Sequence, residues 1–162
     1  MSKKLIAFLV IAMLLVATVI PVFAKDNSAL SNTQKQEFKK IMTEEKAYLK
    51  KLREENRELE KQIKEEKSAI KEIYKEKKKA LTEEQKAKLK ELRAKAKVIV
   101  AELKDLMKQK KDLWKKFSEA RKVKNLNEAT DLFKQITDVK EKIKTKLSEL
   151  LEINKEVKSI LG

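Results

Sequence analysis

The side chains that could do chemistry in this 162-residue chain are of few kinds: 41 Lys and Arg, 26 Asp and Glu, and some hydroxyls, with no Cys and no His. Without Cys there is no disulfide, no thiolate nucleophile and no thiolate metal ligand. Without His the commonest general base and the commonest metal ligand are both missing. A phosphate-cradling loop needs glycine, and the one Gly is Gly162. The sequence therefore predicts no enzyme, no catalytic residues, no cofactor and no metal site. What remains to it is recognition through charge and apolar contact.

A net charge of +15 attracts polyanions such as acidic protein segments, anionic lipid, wall polymers or nucleic acid. Much of that charge is solvation of helix surfaces, for which the pairs Glu60–Lys64, Glu84–Lys88, Glu91–Lys95 and Asp112–Lys116 stand four residues apart. The side chain with most to offer a partner is Trp114, flanked by Lys110, Lys111, Lys115 and Lys116 and in line with Val100 and Met107. Two readings stand for it: a partner contact at the margin of a helix, or a core residue between helices.

These groups must be positioned by helices. Aromatics are 5% of the chain, and a single Pro, Pro21, and a single Gly leave no residues for sheets and hairpins. From Leu81 to Ala120, apolar residues Leu89, Leu92, Ala96, Ile99, Leu103, Leu106, Leu113, Phe117 and Ala120 recur in steps of three and four, interrupted by Lys110. That keeps one side of a helix apolar throughout. With Leu89 at heptad position a, Val100, Met107 and Trp114 fall at e, so this helix expects more than one neighbour.

Upstream, Ser31 and Gln34 form a capping box before a helix whose seam is Phe38, Met42, Leu49, Leu52, Leu59, Ile63, Ile70 and Ile73. Asn56 falls at an a position of that seam, either fixing register or lying at the edge in contact with water. Continuing the a positions past residue 77 misses the next seam by five residues, which predicts a break near Ala80–Thr82. A second break falls at Lys124–Asn127, with Asn125 in the left-handed conformation and Asn127 as the next cap. Beyond it Ala129, Ile136, Ile143, Leu150 and Val157 recur every seven residues, joined by Phe133, Leu147 and Leu161. The expected fold is all-α: an elongated antiparallel three-helix bundle, or coiled-coil hairpin, over 31–162, with helices at about 31–80, 83–123 and 128–161. Its spare apolar surface suits a homodimer.

Before this domain, Lys3 and Lys4, the apolar run Leu5–Ile20 and the small residues Val22 and Ala24 after Pro21 read as a signal peptide over 1–24, cleaved before Lys25. An uncleaved membrane anchor is the competing reading, since the run approaches the roughly 20 residues that cross a bilayer. Residues 25–30 form a polar linker. The mature protein is thus expected in the periplasm, the cell envelope or the extracellular space.

Two segments, Leu30-Ser31-Asn32-Thr33-Gln34 and Leu81-Thr82-Glu83-Glu84-Gln85, repeat the pattern L-[S/T]-x-x-Q, each followed by a basic amphipathic helix. The carrying residues are Leu30, Ser31 and Gln34, and Leu81, Thr82 and Gln85. In this respect the chain resembles the Spy and CpxP group of bacterial envelope proteins with LTxxQ motifs. It departs from them in having Ser31 for Thr, and a complete third helix after the second motif. The resemblance implies an exported, all-helical, ATP-independent chaperone or stress sensor that holds unfolded clients. The leading expectation is accordingly an exported helical protein that binds flexible, unfolded or acidic protein segments. The alternative is a structural coiled-coil protein of the envelope that binds itself and anionic wall polymer or lipid. Nucleic acid ranks below both, because aromatics for stacking are few and export removes the usual partner.

Overall fold

Long stretches of helix-forming residues with an unbroken apolar stripe become three helices, and their mutual order follows from short connections. The computed structural model describes residues 31–162. The expected leader, the linker and Leu30 lie outside the described residues, as does the side chain of Gln34. Helix α1 spans Asn32–Lys77, α2 Glu83–Lys122 and α3 Leu126–Leu161. With 46, 40 and 36 residues, they are about 69, 60 and 54 Å long. None is long and apolar enough to cross a membrane. Thr137 meets Glu45 and Lys158 meets Glu66, so α1 and α3 run parallel. Lys88 meets Glu156 and Lys146 meets Glu102, so α2 runs opposite to α3. The result is an all-α, up-down-up bundle.

The connections are made without glycine. At the first, α1 stops at Lys77, three residues before the expected end, and the Ala80 N–H turns back onto the Lys77 carbonyl at 2.9 Å. Leu81 is buried there against Leu89 and Leu161, which ties the turn to the ends of α2 and α3. Thr82 then caps α2: its hydroxyl accepts from the Gln85 N–H at 3.2 Å, and Gln85 Oε1 accepts from the Thr82 N–H at 3.0 Å. Gln85 Nε2 also donates to the Ile160 carbonyl at 3.1 Å, so the capping box doubles as a clasp on α3. Glu83 and Glu84 in the first turn and Lys75 and Lys77 in the last turn of α1 complement the helix dipoles.

The second connection departs from expectation by one residue. The left-handed conformation belongs to Lys124 (φ 58°), not to Asn125. The Asn125 N–H bonds the Ala120 carbonyl at 2.9 Å and the Lys124 N–H bonds the Arg121 carbonyl at 3.1 Å, the bond pair that closes a helix with one left-handed residue. That leaves Asn125 free to cap α3, where its Oδ1 accepts from the Glu128 N–H at 3.3 Å. Asn127 is already inside the helix, which starts at Leu126 and not at 128. One Asn performs two tasks, and Lys124 carries a strain of about 1–2 kcal/mol for an L-residue in this region.

The packing is unequal. Helix α3 lies against both of its neighbours, whereas no Cα of α1 comes within 8 Å of a Cα of α2. Phe133 and Ile136 of α3 are almost wholly enclosed, as are Leu52 of α1 and Leu92 of α2. The bundle is therefore a central α3 flanked by two helices that splay apart along their remaining side.

Candidate functional site

The splayed side forms a groove whose walls follow from heptad positions. On α2 the g flank faces α3, as the ion pairs Glu102–Lys146 (2.9 Å) and Lys88–Glu156 (3.6 Å) show. The opposite flank, at e, carries Arg93, Val100, Met107, Trp114 and Arg121. On α1 the g flank reaches α3 through Tyr48–Glu141 and Glu55–Lys144. Its e flank carries Lys46, Arg53, Glu60, Lys67 and Tyr74. The two e flanks face each other, because the Arg93 guanidinium lies 5.2 Å from the centre of the Tyr74 ring. From that pair the antiparallel course sets Lys67 at the level of Val100, Glu60 at Met107, Arg53 at Trp114 and Lys46 at Arg121. Both charged residues of the α2 wall are cations, as are three of the four on the α1 wall, and Glu60 is the one carboxylate among these ten residues.

Trp114 is packed on one side and exposed on the other. One side of its ring packs edge-on against Phe117 (5.4 Å) and Phe133 (5.8 Å), yet the residue is 37% exposed. Met107 is exposed as well, and Val100 is half-buried against the core. Of the lysines grouped with Trp114 in the sequence, Lys110 and Lys111 lie at or beside this flank. Lys115 points outward, and Lys116 joins the other flank, where it lines a shallow polar hollow with Asp112 and Gln135. Lys97 and Lys104, fourteen and seven residues before Lys111, extend the basic margin of the groove.

The floor holds a residue that sequence reasoning missed. Lys140 of α3 is buried to 9% exposure, and its ammonium has no hydrogen bond or ion pair among the described residues. Burial holds its pKa below the usual lysine range, and the positive charges of Arg53 and Lys110 push the same way. Asn56, half-buried on α1, donates to the Lys140 carbonyl at 3.4 Å, while its Oδ1 is enclosed without a partner among the described residues. Each helix thus contributes a polar group to one layer: Asn56 with Arg53, Lys110, and Lys140. The signal was present in the row Phe133, Lys140, Leu147, Asn154, Leu161, where polar residues break a seven-residue apolar repeat twice. The breaks are as informative as the repeat.

Among the helix-surface pairs expected from spacing, Glu91–Lys95 forms at 2.6 Å, and Lys95 holds the Glu91 carboxyl below its usual range. Lys88 turns instead from Glu84 to Glu91 and Glu156, since α3 offers it a second carboxylate. Glu60–Lys64 and Asp112–Lys116 do not close to ion-pair distance. Exposed pairs of this kind are worth too little to order two long side chains. Compared with protein-family models, with curated proteins and with solved structures, the chain matches none of them.

Proposed function

We propose that this protein is an exported, ATP-independent holder of flexible or unfolded protein segments, and that it grips them in the groove between α1 and α2. The observation that carries this reading is the combination of half-exposed Trp114 and Met107 with surrounding cations, above a buried Lys140 that has no counter-ion among the described residues. An acidic segment with interspersed apolar residues complements both features. Its carboxylates would neutralise the walls, and its apolar side chains would cover the e flank of α2. The L-[S/T]-x-x-Q resemblance to Spy- and CpxP-like proteins supports the same reading, as does the leader-like sequence over 1–24.

The mature chain from Lys25, at low salt, is expected to suppress aggregation of a model unfolded protein. The effect should weaken as salt screens the groove. An acidic, apolar-containing peptide should shift the Trp114 fluorescence, and a basic peptide of equal hydropathy should not. If the intact protein shows neither effect, the holding function is wrong. The half-exposed row Val100, Met107 and Trp114 favours a second reading, in which another copy of the chain covers it within an envelope coiled coil. Sedimentation would then give a stable dimer whose Trp114 is shielded and insensitive to peptide.

A further inference from the structure

The groove has rims as well as walls. Around a heptad helix position b lies just outside e, so the b rows of α1 and α2 border the groove. On α1 that row is Lys50, Arg57, Lys64 and Lys71, and on α2 it is Lys90, Lys97, Lys104 and Lys111. None of these eight cations makes an ion pair among the described residues. The carboxylates stand on the opposite flanks, at c: Glu44, Glu58, Glu65 and Glu72 on α1, and Glu91, Asp105, Asp112 and Glu119 on α2. Apart from Glu83–Lys86 in the first turn of α2, every ion pair of α1 and α2 lies away from the groove. Charges segregated in this way leave one long face that attracts a polyanion.

The place of one neighbour is open beside that face. With α1 and α2 both packed on α3 and not on each other, the three stand like members of a four-helix bundle, α1 and α2 on its diagonal. We propose that an acidic amphipathic helix of another protein docks along this groove as the fourth member. The docked helix rests on the reading of the groove as the holding site and names the form in which a segment is held. Spacing selects a helix. The rim cations and the row Val100, Met107 and Trp114 all recur every seven residues, about 10.5 Å. A helix with a heptad pattern meets each repeat with the same face, whereas in an extended strand that distance is about three residues and successive contacts fall on opposite faces. An apolar row on the partner covers the e flank of α2, and carboxylates on either side of it reach the two rims. A second copy presenting the same face would set cations against cations. From Lys46 and Arg121 to the Arg93–Tyr74 contact the groove is about 42 Å long, room for about 28 helical residues.

Two 28-residue peptides of identical Leu, Ala, Gln and Glu content are the probes, added to the mature chain from Lys25. One carries Leu in a heptad row with Glu on both flanks; the other has the same residues reordered so that Leu alternates with polar residues. Followed by Trp114 fluorescence and circular dichroism, the heptad peptide is expected to bind saturably, to gain helicity on binding, and to bind at least about tenfold more tightly than the reordered one. The double variant Lys97→Glu, Lys104→Glu reverses two rim charges and should weaken that peptide about tenfold or more, with a shallower dependence on salt. The same reversal at Lys134 and Lys142, exposed on the far side of α3, should change affinity by less than about twofold. Equal binding of the reordered peptide, or a bound heptad peptide without helix, overturns the docked helix and leaves segment holding in place. Equal losses from the two double variants, which would make binding a matter of net charge, overturn it too. So does a dimer that shields Trp114 and excludes the peptide, which would give the groove to a second copy. If neither peptide binds, the holding of acidic segments falls with it.

Discussion

The two flanks of α2 carry residues of similar apolar character and meet different fates. Toward α3, the seam Leu92, Ile99, Leu103 and Leu113 is buried and the margin is zipped by Glu102–Lys146 and Lys88–Glu156. Toward α1, four residues on from Leu103, Met107 stands in solvent, and Trp114 is only partly covered. The difference lies in the partner and not in α2. Helix α3 brings Ala129, Phe133, Ile136 and Ile143 to the seam, whereas α1 offers Lys46, Arg53, Glu60 and Lys67 on the facing flank. Enclosing a row of charged side chains without partners is costly, so α1 and α2 stay apart and the space between them remains accessible. The closed seam stabilises the fold, and the open one leaves Met107 and Trp114 exposed.

The same substitution on the two flanks breaks the comparison most directly. Leu103→Lys, in the closed seam, should destabilise by about 4 kcal/mol or more, because it buries a charge with no partner. Its melting transition, followed by circular dichroism, should fall sharply or vanish. Trp114→Ala removes two edge-to-face ring contacts but only part of a buried surface. It is expected to cost about 1–3 kcal/mol, with helicity retained and peptide binding lost. A larger loss with no binding defect in the folded fraction would assign Trp114 wholly to the core.

Lys140→Met sharpens the comparison from the other side, by about 1–2 kcal/mol in the stabilising direction. The sign follows from proton linkage. Because the folded-state pKa of Lys140 is lowered, the unfolded chain holds this proton more tightly, and the Lys140 contribution to stability rises as the pH climbs through the folded pKa toward the ordinary lysine range, against the opposite contributions of Lys95, Lys146 and Tyr48. Denaturant unfolding of both proteins at increasing alkaline pH isolates it: the stability advantage of Lys140→Met over the wild type should shrink as the pH rises. The smallest effect belongs to Met107→Lys, expected to change stability by less than about 0.5 kcal/mol. An effect matching that of Leu103→Lys would mean that the groove is closed in solution.

The helices and their breaks were legible in the sequence because they depend on neighbours a few residues apart. A 3.6-residue period, the capping box at Thr82 and Gln85, and the slipped register near Ala80 are local properties, and each chose the same all-α answer. The boundary at Asn125 was read one residue off, since which of two adjacent residues turns left-handed depends on bonds back to Ala120 and Arg121. Heptad positions also marked Val100, Met107 and Trp114 as surplus to a single seam. They could not say that this surplus faces a gap. Whether a flank is covered depends on how closely two backbones approach, and that distance is decided by side chains about sixty residues apart in the chain, such as Arg53 and Trp114. The convergence of Asn56, Lys110 and Lys140 likewise exists only once three helices are set side by side. A polar residue in an apolar row is visible in one dimension, but what it meets is a property of three.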